Sequence, residues 1–527
     1  MLCKPILIVL CSLLAQTVYA QPGPIVWVVN SIERVERFGQ PGTGMVANLR
    51  AARGESESFQ IAVQGPPSGL TNVSVSVSDL TGDGGATISS NNFTLYREAY
   101  VYISTSSPNW YGTNRPLGAG WYADGLIPFT DPASGAPIRG AALQAVPFQL
   151  PAGENQPIWV DLSIPHNSAP GRYDGSFLVT SDQGTITGRI SVKVWNFTLP
   201  LRPSLSSSFL VWIPGNTAAA QELLRNKLSP LRVDPAKQPA LIQDYGLKTV
   251  GVPFWSGADI RACKMSAAPS AAQFQAVAVA QHPSLQLYDY SADEIGKCSN
   301  LYPILRQWGS NMHQAGISHL VTMAPVPDLL DDGSGTGRSA VDIWVMLPLT
   351  YDHSQPIVLE ALAKGDSAWS YNGLVQDSYS PKWEIDFAPI NFRIQPGFIN
   401  QSLSLSGLLY WRVDNWSSDP WNQVNNAGVF SSNNYPGEGM LVYPGKQVGI
   451  TGVAPSMRLK WLRDGVEDYE YVELMKKQGL GPQAMDLVRS VAPDWTNWTR
   501  NTDLLAAVRD TLGQRLDELN SNAKIQP

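Results

Sequence analysis

The chain has 527 residues, of which 43% are hydrophobic and 15% are charged, so it exceeds one ordinary domain and can bury large cores. The formal net charge of −7 argues against a nucleic-acid partner, since no basic surface is available to neutralise phosphates. The 45 glycines, 40 prolines and 17 tryptophans indicate many short strands and long ordered loops.

The first 20 residues are typical of a secretory signal peptide. Lys4 supplies a short positive region, residues 6–14 are apolar, and residues 18–20 (Val-Tyr-Ala) fit a small-residue cleavage site before Gln21. No later stretch is apolar for long enough to cross a bilayer. We therefore expect a secreted or periplasmic protein that has no membrane span and whose mature chain starts at about Gln21.

Two of the four cysteines lie in this leader, which leaves Cys263 and Cys298 in the mature chain. Two thiols in an oxidising compartment predict one disulfide, which would close a loop of about 36 residues. The alternative is a pair of free, buried thiols.

Residues 21–203 are predicted to form a β-sandwich. Short runs alternate apolar and polar residues between turns rich in Gly, Pro, Asn and Asp, as where Phe59, Ile61 and Val63 alternate with Gln60 and Ala62. Helical periodicity is absent from this part of the chain. The proline-rich run at 199–203 marks the predicted end of the domain.

Residues 204–454 change to strands separated by helical stretches, which predicts a (β/α)8 barrel of the TIM type. Residues 455–527 are helical by their apolar spacing and would complete or cap the barrel. The eight strand candidates are Ser206–Trp212, Leu247–Phe254, Leu285–Ser291, His319–Ala324, Val341–Leu347, Ala368–Tyr371, Leu408–Val413 and Met440–Tyr443.

In such a barrel the active site forms at the C-terminal ends of the strands. The third predicted strand leads into Asp293 and Glu294, and glycosidic cleavage needs carboxyl groups. Neighbouring strand residues point to opposite faces, so both reach one site only if the backbone leaves regular strand geometry there. A solvated pair of loop charges is the structural alternative.

Other residues near predicted strand ends are candidates for substrate binding, because sugar rings stack on aromatic faces. About half of the tryptophans are expected to be structural instead. Asp414 could be a second catalytic carboxylate or a ligand of a substrate hydroxyl, and its alternative is a loop cap or a partner of Arg412. The candidates are Tyr288, Trp344, Trp369, Tyr371, Trp411, Asp414, Trp416 and Tyr443.

Motifs for other chemistries are missing from the sequence. None of the five histidines has the spacing of a zinc site, and neither a Gly-X-Ser-X-Gly elbow nor a P-loop is present. We therefore predict an enzyme without a metal or a cofactor.

Five segments carry a family resemblance that covers nearly the whole mature chain. Residues 52–60 (ARGESESFQ) precede the barrel, 341–345 (VDIWV) and 407–411 (GLLYW) lie in predicted strands, and 439–445 (GMLVYPG) are followed by 458–470 (RLKWLRDGVEDYE). Together they resemble glycoside hydrolase family 123 and the larger family that shares its barrel. The run at 458–470 is the most specific of these motifs.

The resemblance implies retaining exo-cleavage of β-linked N-acetylhexosaminides, with N-acetylgalactosamine favoured, through participation of the substrate's own 2-acetamido group. The family's adjacent Asp-Glu pair falls on Asp293 and Glu294. Asp293 would orient the acetamido group, and Glu294 would protonate the leaving oxygen and then activate water. The family's pair is often followed by proline, whereas Ile295 follows here, and this leaves the shape of the loop open.

The sequence is also compatible with two other functions. Glu294 and Asp414 could act as an ordinary carboxyl pair on a glycan that lacks an acetamido group. The chain could also be a non-catalytic extracellular protein that binds glycans.

Overall fold

The computed structural model describes residues 23–213 and 215–522, so the predicted signal peptide lies outside the described residues. Within these two ranges, no helix combines the length and the apolar character that a bilayer crossing requires.

The first part of the chain forms strands only, apart from two short 3₁₀ turns. The strands are β1 Ile25–Asn30, β2 Val46–Arg53, β3 Ser56–Gln64, β4 Leu70–Val77, β5 Leu80–Gly82, β6 Thr87–Ile88, β7 Phe93–Ile103, β8 Gly120–Pro128, β9 Phe148–Leu150, β10 Asn155–Ser163, β11 Gly171–Ser181 and β12 Gly184–Thr198. One sheet has the order β1-β3-β10-β7-β8, and a second has the order β2-β12-β11-β4-β9, with β5 and β6 attached beside β11.

The two sheets share one hydrophobic core. Ile61 and Val160 of the first sheet and Phe177 and Val192 of the second are among its fully buried side chains. The other face of β3 is buried as well: Gln60 is fully buried and donates hydrogen bonds to the carbonyls of Asn30, at the end of β1, and of Glu33 in the loop after it. The first sheet is therefore covered on both sides, and its second face contacts the rest of the protein.

The next part of the chain forms a parallel sheet, which in the described residues has seven strands in the order β13-β19-β18-β17-β16-β15-β14. Each overlaps one of the first seven predicted strands. They are β13 Ser206–Phe209, β14 Thr249–Gly251, β15 Gln286–Asp293, β16 Ser318–Thr322, β17 Ile343–Met346, β18 Ser367–Asn372 and β19 Gly407–Tyr410.

This sheet curves into a nearly closed barrel whose seam lies between β13 and β14. Residues 229–231 span the seam, although they form no regular strand. Phe209 N donates to Ser229 O (2.9 Å) and Leu231 N donates to Phe209 O (2.9 Å), while Gly251 N on the other side donates to Leu231 O (2.6 Å). The backbone groups at the edges of the seam are thereby satisfied without an eighth strand.

The prediction of eight alternating strands and helices is wrong at two points. The eighth predicted strand, Met440–Tyr443, overlaps β20 (Val442–Pro444), which pairs with β21 (Val453–Pro455) in an antiparallel ribbon. Met440 forms an antiparallel bridge to Asp414, so the chain runs against the barrel direction there. In addition, the described connection from β16 to β17 contains a 3₁₀ turn at Pro327–Leu329 and no α-helix.

Helices cover the outside of the barrel and one end of it. They are α1 Thr217–Arg225, α2 Gln238–Tyr245, α3 Ala271–Ala278, α4 Tyr302–Gln314, α5 Pro348–Ala363, α6 Ile390–Ile394, α7 Asn400–Ser402, α8 Met457–Lys477, α9 Gly481–Val491 and α10 Thr502–Asn522. A π-helical turn at Gln395–Ile399 joins α6 to α7. Helix α8 begins where Ser456 Oγ accepts the amide of Leu459.

Helix α8 links the barrel to the N-terminal sheets through buried ion pairs. Asp161 of β10 contacts both Lys460 (2.9 Å) and Arg463 (3.2 Å), and Asp124 of β8 contacts Arg458 (2.8 Å). All five side chains are buried. Because removing one partner of a buried pair costs about 3–5 kcal/mol, these contacts fix the position of α8 between the two parts of the protein.

Candidate active site

The predicted catalytic pair lies at the C-terminal end of β15, where the strand is irregular. The register between β15 and β16 shifts between Tyr290 and Ala292, which releases the Ser291 carbonyl from the sheet. That carbonyl accepts hydrogen bonds from the backbone amide (3.1 Å) and the hydroxyl (2.6 Å) of Ser256 in the loop after β14. The backbone thus leaves regular strand geometry directly before the pair, as the sequence argument required.

Asp293 is half-buried and held by two hydroxyl groups. Its Oδ1 accepts from the Tyr290 hydroxyl (2.7 Å) and from the Thr322 hydroxyl (2.6 Å). Thr322 also accepts the backbone amide of Glu294 (2.8 Å), so one buried side chain fixes both members of the pair. Among the described residues, Asp293 Oδ2 receives no hydrogen bond and remains available to a ligand.

Glu294 has a left-handed backbone conformation, with φ 51° and ψ 30°. This conformation costs a non-glycine residue roughly 1–2 kcal/mol, and the surrounding contacts must offset that cost. Loss of hydration at the cavity wall, followed by repulsion from Asp293, raises the pKa of the exposed Glu294 carboxyl above its ordinary value. A raised pKa favours the protonated form of the carboxyl, which can donate a proton near neutral pH.

A cavity of about 450 Å³ opens beside Glu294 over the C-terminal ends of β15 to β18. Thr322 and Tyr371 line it, and Lys297 and Gln376 add further polar groups. Apolar side chains complete it, with Ile260, Met323, Val326, Met346 and Leu347 among them. In the described residues, no group of three or more His, Cys, Asp or Glu side chains is arranged to hold a metal ion.

Aromatic side chains surround Trp411, directly after β19. Its ring lies 5.8 Å from that of Trp212 and 5.5 Å from that of Phe430, edge to face in both cases. The indole N–H of Trp411 donates to Oε1 of Glu438, which is buried (2.5 Å). Trp411 and the Tyr371 hydroxyl both lie beside Gly373, so these two predicted aromatic residues are close to one another at this end of the barrel.

Four other candidates for substrate binding are buried within the protein. Tyr288 donates to Ser208 inside the barrel, and Trp369 packs beside it, 5.9 Å between rings, over a glycine. Trp344 is fully buried in a different core and donates to Asp366. Tyr443 donates to Asp124. The structure does not bring these side chains to the cavity surface. Tyr288 and Trp369 pack inside the barrel, Trp344 packs in the core on the other face of the sheet, and Tyr443 lies on the antiparallel ribbon formed by β20 and β21.

Asp414 is also fully buried, and protein groups occupy both of its carboxyl oxygens. Oδ1 accepts from Trp212 N (3.1 Å) and Arg412 Nε (3.2 Å), and Oδ2 accepts from Ile213 N (2.9 Å). This arrangement favours a structural role in which Asp414 positions the loop after β13. Trp416 is half-buried, donates to a backbone carbonyl, and borders a second cavity of about 680 Å³.

The predicted disulfide between Cys263 and Cys298 is confirmed. It joins the loop after β14 to the segment that directly follows Glu294. Two exposed tryptophans of this region, Trp212 and Trp255, were missed by the sequence argument. Trp212 is the last residue of one predicted strand and Trp255 directly follows another, whereas the observed strands end earlier, at Phe209 and Gly251. The rule that placed the other candidates would have found both tryptophans if these strand ends had been known.

Two family models match the chain. The glycoside hydrolase 123 N-terminal domain matches residues 36–181, and the glycoside hydrolase 123 catalytic domain matches residues 357–475. Together these ranges span 265 of the 527 residues. Asp293 and Glu294 lie between the two matched ranges.

The fold is similar to that of a family 123 glycoside hydrolase from Clostridium perfringens, whose structural analysis concerned hydrolysis of glycolipid glycans. The two chains share 14% identity with a TM-score of 0.63, and the match covers 95% of this chain and 98% of the other. A β-glucuronidase from Parabacteroides merdae (9% identity, TM-score 0.27, 79% of this chain and 49% of that one) and β-glucuronidase 3 from Bacteroides uniformis (10%, 0.27, 78% and 50%) are more distant. A search of curated protein sequences found no match.

Proposed function

The chain is a member of the family 123-like glycoside hydrolases, and on that premise we propose that it is a retaining β-N-acetylhexosaminidase that favours N-acetylgalactosamine. One observation carries the proposal: Asp293 and Glu294 are adjacent, lie at the end of a barrel strand, and are both fixed by Thr322. Two neighbouring carboxyl groups with different surroundings suit two different roles.

Asp293 is proposed to orient the 2-acetamido group of the substrate. Its Oδ1 is occupied by two hydroxyl donors, and its Oδ2 can accept the acetamido N–H. The carboxylate then stabilises the positive charge that develops while the acetamido oxygen attacks the anomeric carbon. The glycosidic carbon–oxygen bond breaks in the same step.

Glu294 is proposed to be the general acid and then the general base. Its proton passes to the leaving oxygen, and its carboxylate afterwards takes a proton from the water that attacks the anomeric carbon. The raised pKa of Glu294 supports the first half of this role, because the group is then more often protonated when substrate binds. Two inversions at one carbon give net retention, and no covalent bond to the protein forms.

Glycolipid glycans are the proposed source of the substrate, since the similar enzyme from Clostridium perfringens is described as acting on them.

We also propose that the chain is exported and cleaved after Ala20. N-terminal sequencing of the protein recovered outside the cytoplasm tests this: a mature chain beginning at Gln21 supports export, and an intact Met1 contradicts it.

Hydrolysis of chromogenic β-glycosides tests the reaction. Wild type, Asp293→Asn and Glu294→Gln are compared on N-acetylgalactosaminide, N-acetylglucosaminide, galactoside and glucoside. We expect activity on the acetamido sugars only, with a loss of at least roughly 100-fold in each variant and an unchanged unfolding transition. Equal activity on galactoside, or full activity in either variant, contradicts the proposal.

A further inference from the structure

A long loop of the N-terminal sheets reaches across to the barrel. It comprises residues 104–119, between β7 and β8, and we call it the crossing loop. Near its start, the hydroxyls of Ser106 and Ser107 both donate to the carboxylate of Asp386 (2.7 Å each). Near its end, Leu117 N donates to the backbone oxygen of the same aspartate (2.7 Å). Both ends of the crossing loop are therefore fixed to one residue of the segment that precedes α6.

The middle of the crossing loop contacts residues 373–380, which directly follow β18 and which we call the wall segment. Asn114 N donates to Ser378 O (3.1 Å), and Asn114 Nδ2 donates to Ser380 O (2.8 Å). Gly112 lies so close to the wall segment that a Cβ at this position would overlap the backbone oxygen and the Cβ of Ser378. The two segments can meet in this way only because residue 112 has no side chain.

The wall segment contains a strained residue beside the catalytic cavity. Leu374 has a left-handed backbone conformation, with φ 55°, which is unfavourable for a residue other than glycine and persists only where surrounding contacts fix it. The crossing loop supplies such a contact at the next residue, because the indole N–H of Trp110 donates to Val375 O (3.0 Å). Gln376 follows, and its exposed side chain lines the cavity together with Glu294.

From these contacts we infer that the crossing loop positions Gln376 to bind the substrate, so that the N-terminal sheets contribute to the specificity of the catalytic cavity. The inference rests on the proposed function. Gln376 Nε2 donates to Gly373 O (3.2 Å), which orients the amide within the wall segment. The amide has a second N–H and an oxygen, and these suit the hydroxyls or the acetamido group of a sugar. The residues of the crossing loop are positioning residues, and proton transfer stays with Glu294.

Steady-state kinetics on a disaccharide of β-linked N-acetylgalactosamine and galactose tests the inference, because this substrate places a ring on each side of the cleaved bond. Gly112→Ala pushes the crossing loop away from the wall segment, and Trp110→Phe removes only the indole donor. Gln376→Ala removes the amide itself, and a double variant combines it with Gly112→Ala. The matched control is Leu117→Ala, which changes a side chain of the same loop that is 58% exposed.

We expect Gln376→Ala to raise KM roughly 2- to 12-fold, the effect of losing one neutral hydrogen bond, and to keep kcat within about threefold of the wild type. Gly112→Ala should raise KM to a similar degree, and Trp110→Phe should raise it less. The double variant should match Gln376→Ala alone, because both changes act through one amide. Leu117→Ala should change neither constant.

An unchanged KM in both Gly112→Ala and Trp110→Phe, losses that multiply in the double variant, or an equal loss in Leu117→Ala overturns the inference. Hydrogen exchange of residues 373–380 adds a measurement that does not depend on activity. Exchange should be faster in Gly112→Ala than in Leu117→Ala, and equal rates overturn the positioning role of the crossing loop. If the wild type cleaves neither this disaccharide nor the chromogenic acetamido sugars, the proposed function fails, and the role of Gln376 in substrate binding fails with it. Hydrogen exchange then still decides whether the crossing loop holds the wall segment.

Discussion

Replacing Thr322 by valine removes one hydroxyl group and keeps the shape of the side chain. That hydroxyl donates to Asp293 Oδ1 (2.6 Å) and accepts the amide of Glu294 (2.8 Å). Thr322 is 3% exposed, so water cannot readily take its place. The substitution therefore tests whether the pair depends on this one fixed group, and it leaves both carboxyl groups in the chain.

The expected magnitude follows from the two bonds. A hydrogen bond to a charged group contributes about 1.5–3 kcal/mol, and an unpaired buried N–H costs about 1–3 kcal/mol. If the loss of the first bond is expressed fully in the transition state, kcat falls roughly 10- to 150-fold, at tenfold for each 1.4 kcal/mol. Without the second bond, Glu294 is free to leave its left-handed conformation, which adds to the loss.

The assay compares kcat, KM and urea unfolding for wild type, Thr322→Val and Thr322→Ser on one acetamido substrate. We expect Thr322→Val to lose kcat and about 1–3 kcal/mol of unfolding free energy. Thr322→Ser keeps the hydroxyl and should retain kcat within about threefold. Wild-type kcat in Thr322→Val, or an equal loss in Thr322→Ser, refutes the idea that this hydroxyl positions the pair.

Three further predictions concern stability. Glu98 is buried, neither of its carboxyl oxygens has a hydrogen-bond partner within residues 23–213 and 215–522, and burial raises its pKa to about 8. A raised carboxyl pKa contributes stability that is present in acid and is lost as the pH rises from about 4.5 through 8. Glu98→Gln removes this group, so the thermal midpoint of the variant should depend less on pH than that of the wild type. An unchanged pH profile would contradict the prediction. Reduction of the Cys263–Cys298 disulfide should lower the free energy of unfolding by about 3–4 kcal/mol in urea titrations, while the double serine variant should not respond to the reductant. Trp411→Phe leaves buried Glu438 without its indole donor and should lower the free energy of unfolding by about 1–3 kcal/mol. The loss should be larger at pH 9 than at pH 5, because burial raises the pKa of Glu438 and the indole donor favours its charged form. A loss that does not change with pH would show that the indole does not stabilise the Glu438 carboxylate.

Local sequence patterns predicted the seven barrel strands because each is a short apolar run between turns. The same rule failed at Met440–Tyr443, where an apolar run of similar length pairs antiparallel with β21. Direction and partner depend on contacts between distant parts of the chain, and composition contains no signal for them. The contacts of residues 229–231 at the seam could not be predicted either, since these backbone hydrogen bonds need no strand-like side-chain pattern. The domain boundaries near 203 and 454 stay predictions.

The position of Asp293 and Glu294 could be predicted from the sequence because a barrel places strand ends at one face. The contacts that give the pair its chemistry could not. Thr322 is 28 residues from Glu294, and only the parallel pairing of β15 with β16 brings it there. The sequence argument also could not separate Tyr371 from Trp369, two residues apart on one strand, because the first lines the cavity and the second fills the barrel interior.

The ion pairs of helix α8 have a consequence for how this protein can be divided. Arg458, Lys460 and Arg463 each contact a carboxylate on the N-terminal sheets, at Asp124 or Asp161, and Arg463 also contacts Asp464 within α8. A barrel expressed alone would lose one carboxylate partner at each of these three cations, and the isolated sheets would lose the charges that balance Asp124 and Asp161. We therefore expect the two parts matched by separate family models to unfold as a single cooperative unit, and the catalytic part to fail when it is grafted onto another N-terminal domain.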